Sequence, residues 1–253
     1  MIRAVLSLAA FILLWGGLVA VFNVPAYLVP SPGELADKAW FLATEAGLLS
    51  HIPVTLVEIV AGFVIGVVAG VATAVLFTRL PAVEVVLNPL IIFVQTAPKI
   101  AIAPLLLLWL GLGATPKIVL VAIVVFFPVL SNMLSALRSI DPNLLALARI
   151  LRMDPLTRFR RIELPQSLPL LFTGMKVGVT LAVTAAVIGE LMGARAGLGY
   201  LLSLGQETAD VGLVLVAVIL LSLIGYALYL LLGIAERRLL GWHESRAGDL
   251  SIE

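Results

Sequence analysis

Six apolar runs, at about 5–21, 54–77, 85–110, 118–137, 168–193 and 212–234, each come close to the ~20 residues a helix needs to cross a bilayer. A chain that is 62% hydrophobic and 12% charged, with mean hydropathy +1.17, lies far from soluble composition. The expectation is an all-α polytopic membrane protein, with about six transmembrane helices in a single domain over 1–253.

The same composition removes several chemistries. Without cysteine there is no disulfide, thiolate metal site or thiol nucleophile. His51 and His243 are the only imidazoles and lie far apart in the chain, so neither a metal nor a catalytic histidine site is expected. No P-loop occurs, because Lys38, Lys99, Lys117 and Lys176 each follow a residue other than glycine. The chain is therefore expected to bind no ATP or other cofactor itself, and its energy must come from a gradient or another subunit. No nucleophile-and-base arrangement suggests an enzyme. A net charge of +1 gives no reason to expect nucleic acid as a partner.

The one strongly polar run, Asp141 to Pro165, lies within a loop over 138–165. Asp141-Pro142 and Asp154-Pro155 are cap-then-proline starts, so the run reads as two short helices joined by a turn. Leu144, Leu147, Ala148 and Leu151 share one face of the first helix, bordered by Arg152, with Arg149 further round. The second helix carries Arg158, Arg160 and Arg161, and Leu164-Pro165 is expected to close it. An apolar stripe edged with arginine suits a groove on a partner protein. It equally suits a basic loop held against anionic lipid headgroups.

Elsewhere, Arg3 ahead of an apolar run resembles a signal peptide, but the run is long and holds Trp15, so a retained first span is the reading. Ser31-Pro32 opens a short helix expected on the outer surface. Gly62, Gly66, Gly70 and Ala74 in the second span, and Gly174, Gly178, Ala182 and Ala186 in the fifth, step by four and predict close helix packing. Glu58 is expected near the outer end of its span and hydrated. Pro89, Pro98 and Pro104 break the third span, where Lys99 sits beside Gln95 and Thr96. Lys99 either lines a path or snorkels and pairs internally. Ser131 and Asn132 are expected to bond a neighbouring helix. Lys176 and Glu190 are about 21 Å apart along one helix, so each needs its own partner or water. Residues 194–211 read as a polar outer loop, and Trp242 as an interfacial aromatic.

Charge sets an orientation. One side would hold Arg3, Arg79, Arg138, Arg149, Arg152, Arg158, Arg160, Arg161, Arg237, Arg238 and Arg246; the other would hold Lys38, Lys117 and Arg195. Eleven against three puts both termini and the 138–165 loop in the cytoplasm.

The run Ala146-Leu147-Ala148, three residues, Arg152, nine residues, then Ile162-Glu163-Leu164-Pro165 resembles the "EAA" loop (Glu-Ala-Ala-x3-Gly-x9-Ile-x-Leu-Pro) of ABC importer permeases. Spacing matches without a gap, whereas Ala146, Leu147 and Arg152 replace the family's Glu, Ala and Gly. The segment from Gln95-Thr96-Ala97-Pro98-Lys99 to Pro104-Leu105, with Trp109, resembles the nitrate/sulfonate/taurine branch of these permeases. So do Gly189-Glu190, Gly197-Leu198-Gly199-Tyr200 and Glu236-Arg237-Arg238 through Trp242. That branch also includes importers of thiamine-precursor pyrimidines and riboflavin-like molecules.

The resemblance implies a MetI-like permease fold in the bacterial inner membrane. It implies a homodimer, a cytoplasmic ATPase dimer holding ATP and Mg, and a periplasmic or lipid-anchored substrate-binding protein. It puts Leu144, Ala146, Leu147, Ala148, Arg149, Leu151, Arg152, Ile162, Leu164 and Pro165 at the ATPase contact. Gln95, Thr96, Lys99, Lys176 and Glu190 are candidates for the translocation pathway. A second hypothesis is an ion- or proton-coupled secondary transporter using Lys99, Lys176, Glu58 and Glu190; against it, no internal inverted repeat is visible.

Overall fold

A computed structural model describes residues 2–240; Trp242, His243 and Arg246, and the charged tail they belong to, lie outside it. The helices run α1 (Ile2–Val21), α2 (Pro32–Thr44), α3 (Leu48–Arg79), α4 (Pro81–Thr96), α5 (Lys99–Leu110) and α6 (Ala114–Arg138). They continue as α7 (Pro142–Ile150), α8 (Pro155–Arg158), a π turn (Phe159–Glu163), α9 (Leu164–Leu191), α10 (Leu198–Glu207) and α11 (Val211–Leu239).

The centre is a sandwich of α6 between α3 and α9. Lipid tails are as apolar as leucine, so helices in a bilayer associate by close van der Waals packing, and small residues allow the closest approach. On α3, Gly62, Gly66, Gly70 and Ala74 are all buried against α6. A Cβ added at Gly62 would come within 2.7 Å of the Ile118 carbonyl, and one at Gly66 within 2.7 Å of the Ala122 carbonyl. Val121, Val125 and Val129 fill these notches and are fully buried. On the opposite side of α6, Gly174 faces the Pro128 carbonyl and Gly178 faces Val125. Both small-residue faces expected from sequence are thus used within one chain.

Four helical stretches are long and apolar enough to cross a membrane: α3, α6, α11 and the continuous run Pro155–Leu191. The α4–α5 pair counts as a fifth if taken as one span, although it bends by 100°. Among the described residues four spans, or five with the bent pair, meet that length; in the run expected at 5–21, α1 (Ile2–Val21) contributes the apolar stretch Ala9–Val21, so the count of six is not confirmed. Of the three prolines expected to break the third span, Pro98 does so, by forcing Ala97 into an extended conformation (φ −60°, ψ 137°). Pro89 and Pro104 stay inside helices. Carbonyls near the break are not left bare: Lys99 Nζ donates to the Gln95 carbonyl at 2.5 Å, and Thr96 Oγ1 to that of Phe93 at 2.9 Å.

Four further expectations need correction. The Leu164-Pro165 pair does not close the second loop helix. Pro165 has no N–H to offer the turn before it, and the chain widens there into a π turn, with the Leu164 N–H donating to the Phe159 carbonyl, so the helix runs on into α9. The 194–211 segment is no polar loop, because α10 occupies it and buries Leu198, Leu201 and Leu202. Glu58 is not hydrated: it is buried and paired with Lys117, itself buried, at 2.6 Å. Asn132 donates to the Pro128 carbonyl of its own helix instead of to a neighbour.

The α2 start is as read. Ser31 and Glu34 form a reciprocal capping box ahead of Pro32, and Lys38 of α2 pairs with Asp210 at the start of α11 (2.6 Å).

Adding one methyl at Gly66 must push α3 off α6, whereas Gly233 has nothing within 4 Å of an added Cβ. Gly66→Ala is expected to cost about 1–3 kcal/mol, and Gly233→Ala to be neutral or to stabilise by up to about 1 kcal/mol. Thermal melts of the two purified variants should therefore move apart; equal shifts would contradict the packing.

Candidate functional site

The 138–165 loop is capped as its sequence suggests. Asp141 accepts from the Asn143 N–H at 2.8 Å and Asp154 from the Thr157 N–H at 3.0 Å. Hydrogen bonds from the Thr157 side chain and amide hold the Asp154 carboxyl below the usual range.

The first loop helix, α7, ends in a Schellman motif. The Arg152 N–H donates to the Arg149 carbonyl and the Met153 N–H to the Ala148 carbonyl, each at 3.0 Å, with Arg152 left-handed at φ 48°. This is the position where the EAA pattern carries glycine. Arginine adopts the same backbone there, at the steric cost that glycine avoids.

The apolar face read from the sequence divides in two. Ala148 is buried, and Leu145, Ile162 and Leu164 pack against the main core. Leu147 and Leu151 point outward, joined by Ile150 (77% exposed) and Leu156. Arg149, Arg152, Arg160 and Arg161 are exposed around this patch. The result is a small greasy surface in a basic frame, left uncovered by the other described residues.

Ion pairs fix the patch to the bundle. Glu163, buried, sits 2.5 Å from Arg79 at the end of α3 and 2.8 Å from Arg158. Arg138 at the end of α6 pairs with Glu84 of α4 at 2.5 Å. The loop is thus anchored to α3, while the α6 end beside it is anchored to α4. Sequence reading had passed over Glu163; its one signal was a lone acid beside Arg158, Arg160 and Arg161.

The candidate pathway residues separate. Gln95 and Lys99 line a cavity of about 430 Å³ whose other walls are α6 (Val124, Phe127, Pro128) and α9 (Val177, Leu181, Thr184, Ala185, Ile188). Thr184, not singled out from sequence, adds a hydroxyl to that wall. Thr96 bonds its own helix. Lys176 pairs with Glu236 of α11 at 2.5 Å and lies 5.8 Å from the Tyr229 ring centre. Glu190 is buried away from that cavity. It accepts from Thr55 Oγ1 at 2.7 Å and from the Gly199 N–H at 2.5 Å. Lys99, Lys176 and Glu190 therefore sit at three separate places, each with its own partners.

The family model for the binding-protein-dependent transport system inner membrane component matches residues 62–241. The chain belongs to that family. It is a membrane-embedded permease subunit of the ABC importer type.

The riboflavin transport system permease protein of Chloroflexus aurantiacus is 34% identical over 239 residues, covering 94% of this chain and 89% of the relative. The formylaminopyrimidine transport permease protein of Halalkalibacterium halodurans is 31% identical over 220 residues, 87% of this chain and 88% of the relative. The putative aliphatic sulfonates transport permease protein of Bacillus subtilis is 27% identical over 246 residues, 97% of this chain and 89% of the relative. In fold, this permease resembles the inward-facing MetNI methionine ABC transporter: TM-score 0.65 at 19% identity, over 76% of this chain and 95% of the other.

Two substitutions test the anchoring. Glu163→Ala strands two arginines and is expected to cost about 1–3 kcal/mol. Arg152→Gly should keep the turn and stabilise by up to about 1 kcal/mol. Denaturation of the purified permease measures both, and a destabilising Arg152→Gly would contradict the turn assignment.

Proposed function

We propose that this permease imports a small anionic or heterocyclic solute by alternating access, as a homodimer joined to a cytoplasmic ATPase dimer and fed by a periplasmic or lipid-anchored binding protein. ATP and Mg belong to the ATPase partner. Candidate solutes are a sulfonate, nitrate or taurine, or a thiamine-precursor pyrimidine or riboflavin-like molecule. The named activities of the relatives support the sulfonate, taurine, pyrimidine and riboflavin members of this range. Both termini and the 138–165 loop face the cytoplasm, on the strength of the arginine bias.

The observation that carries the proposal is the bare patch of Leu147, Ile150, Leu151 and Leu156 in its arginine frame. An amphipathic helix of this kind docks into a groove on a partner. Here the groove belongs to the ATPase, with Leu144, Ala146, Ala148, Arg149, Arg152, Ile162, Leu164 and Pro165 shaping or supporting the contact.

Motion then has a route. From Pro155 to Leu191 the chain is one run of 37 helical residues, so the second loop helix enters the membrane segment without a break, and α7 is joined to it by the turn at 151–154. When ATP closes the ATPase dimer, the docked loop moves with it and tilts α9. The α9 face carrying Val177, Leu181, Thr184 and Ile188 is also a wall of the cavity that holds Gln95 and Lys99. A tilt of the lever therefore reshapes the chamber through which the solute passes. Lys99 gives that chamber a positive charge, which favours an anion.

Leu147→Asp or Leu151→Asp should abolish substrate-stimulated ATPase activity in the reconstituted complex while leaving the permease dimer intact. Undiminished stimulation would contradict the docking assignment. Lys99→Gln should lower uptake of an anionic solute at unchanged ATPase coupling, and equal uptake by the two proteins would remove Lys99 from the pathway.

A further inference from the structure

At the end of the bundle opposite the coupling loop, a polar cluster lies buried among four helices. Lys117 of α6 donates to Glu58 Oε1 of α3 at 2.6 Å. Glu190 of α9 receives Thr55 Oγ1 on Oε1 and the Gly199 N–H on Oε2. The start of α10 is met on every side: the Gly197 N–H donates to His51 Nδ1 at 3.0 Å and the Leu198 N–H to Thr55 Oγ1 at 2.8 Å. His51 stacks on Tyr200, with ring centres 5.9 Å apart. A Cβ at Gly197 or Gly199 would collide with the Glu190 carboxyl, so the chain is drawn tightly round that group.

One atom does not fit this account. Glu58 Oε2 is buried and has no donor. Thr55, one turn before Glu58 on α3, donates to Glu190, and Lys117, which donates to Glu58, lies against Gly189, so two buried carboxyl groups share one site in which Lys117 is the one cation bonded among the described residues. With both ionised, the cluster holds an uncompensated charge and an unsatisfied oxygen, two conditions that a buried site tolerates poorly. One proton removes both.

Its position follows from the donors. Both oxygens of Glu190 already accept, and they face the N-terminus of α10, where an anion is favoured. Glu58 Oε2 accepts nothing. We propose that Glu58 is a protonated carboxylic acid that hydrogen-bonds Glu190, so that one buried proton joins α3 to α9 and fixes the start of α10. Lys117 and Glu190 then balance in charge. The proton is taken up from water as the bundle assembles.

An amide copies the donor of a protonated acid. Glu58→Gln in the full permease–ATPase complex is therefore expected to melt at the same temperature as the parent, whereas Glu58→Ala and Glu190→Gln should melt several degrees lower. The infrared spectrum of the parent should contain a carboxylic-acid carbonyl band that shifts in heavy water and is missing from Glu58→Gln. The proposal is overturned if Glu58→Gln melts as low as Glu58→Ala or fails to assemble, since Lys117 would then depend on a charged Glu58. It is also overturned if the parent has no such band.

Discussion

Everything in this permease is referred to the contact between α6 and its two neighbours. Inside a bilayer the helices gain little from hiding apolar surface, so the bundle depends on backbones approaching within van der Waals range. Gly62, Gly66 and Gly70 open one side of α6 and Gly174 and Gly178 the other, with Val121, Val125 and Val129 seated between them. A sandwich this close resists independent sliding of its layers, and a force applied to α9 must be shared with α6 and α3.

That stiffness gives the loop its mechanical meaning. The π turn at Phe159–Glu163 absorbs the missing N–H of Pro165 without ending the helix, and Glu163 ties the turn to Arg79 of α3. A conventional stop at Leu164-Pro165 would have left a hinge there. Instead, α8, which carries Leu156 of the patch, runs without a break into α9 and the wall of the cavity that holds Gln95 and Lys99, and Leu147 and Ile150 of α7 join it across the turn at 151–154. At the other end of the bundle, the Glu58, Lys117 and Glu190 cluster joins the same three helices through polar contacts, so the sandwich is fastened near both ends.

What could be read from the sequence was what leaves a local pattern. The small-residue faces have a spacing of four, the caps at Asp141 and Asp154 each precede a proline, and the apolar runs have bilayer length. Each of these is written in neighbouring residues. The pairs Glu58–Lys117 and Arg79–Glu163 join residues far apart in the chain, and nothing local announces them. α10 was missed for a related reason: His51, Thr55 and Glu190 supply its N-terminal caps from other helices, so the usual adjacent cap is absent. Ile150 went unnoticed because the apolar stripe was drawn through Ala148, which the fold buries. The choice among Pro89, Pro98 and Pro104 also needed the structure, since all three carry the same local penalty.

The central claim is that the arginine-framed patch is the surface a separate motor holds. The chain has no cysteine of its own, so Ile150→Cys provides a single reactive thiol at the middle of the patch. A short bifunctional reagent added to inside-out membrane vesicles containing the assembled importer should join this position to the ATPase subunit, in a yield that changes when ATP is bound. A thiol that instead reacts from the outer face of intact cells, or that never joins the ATPase in an active complex, would contradict the account.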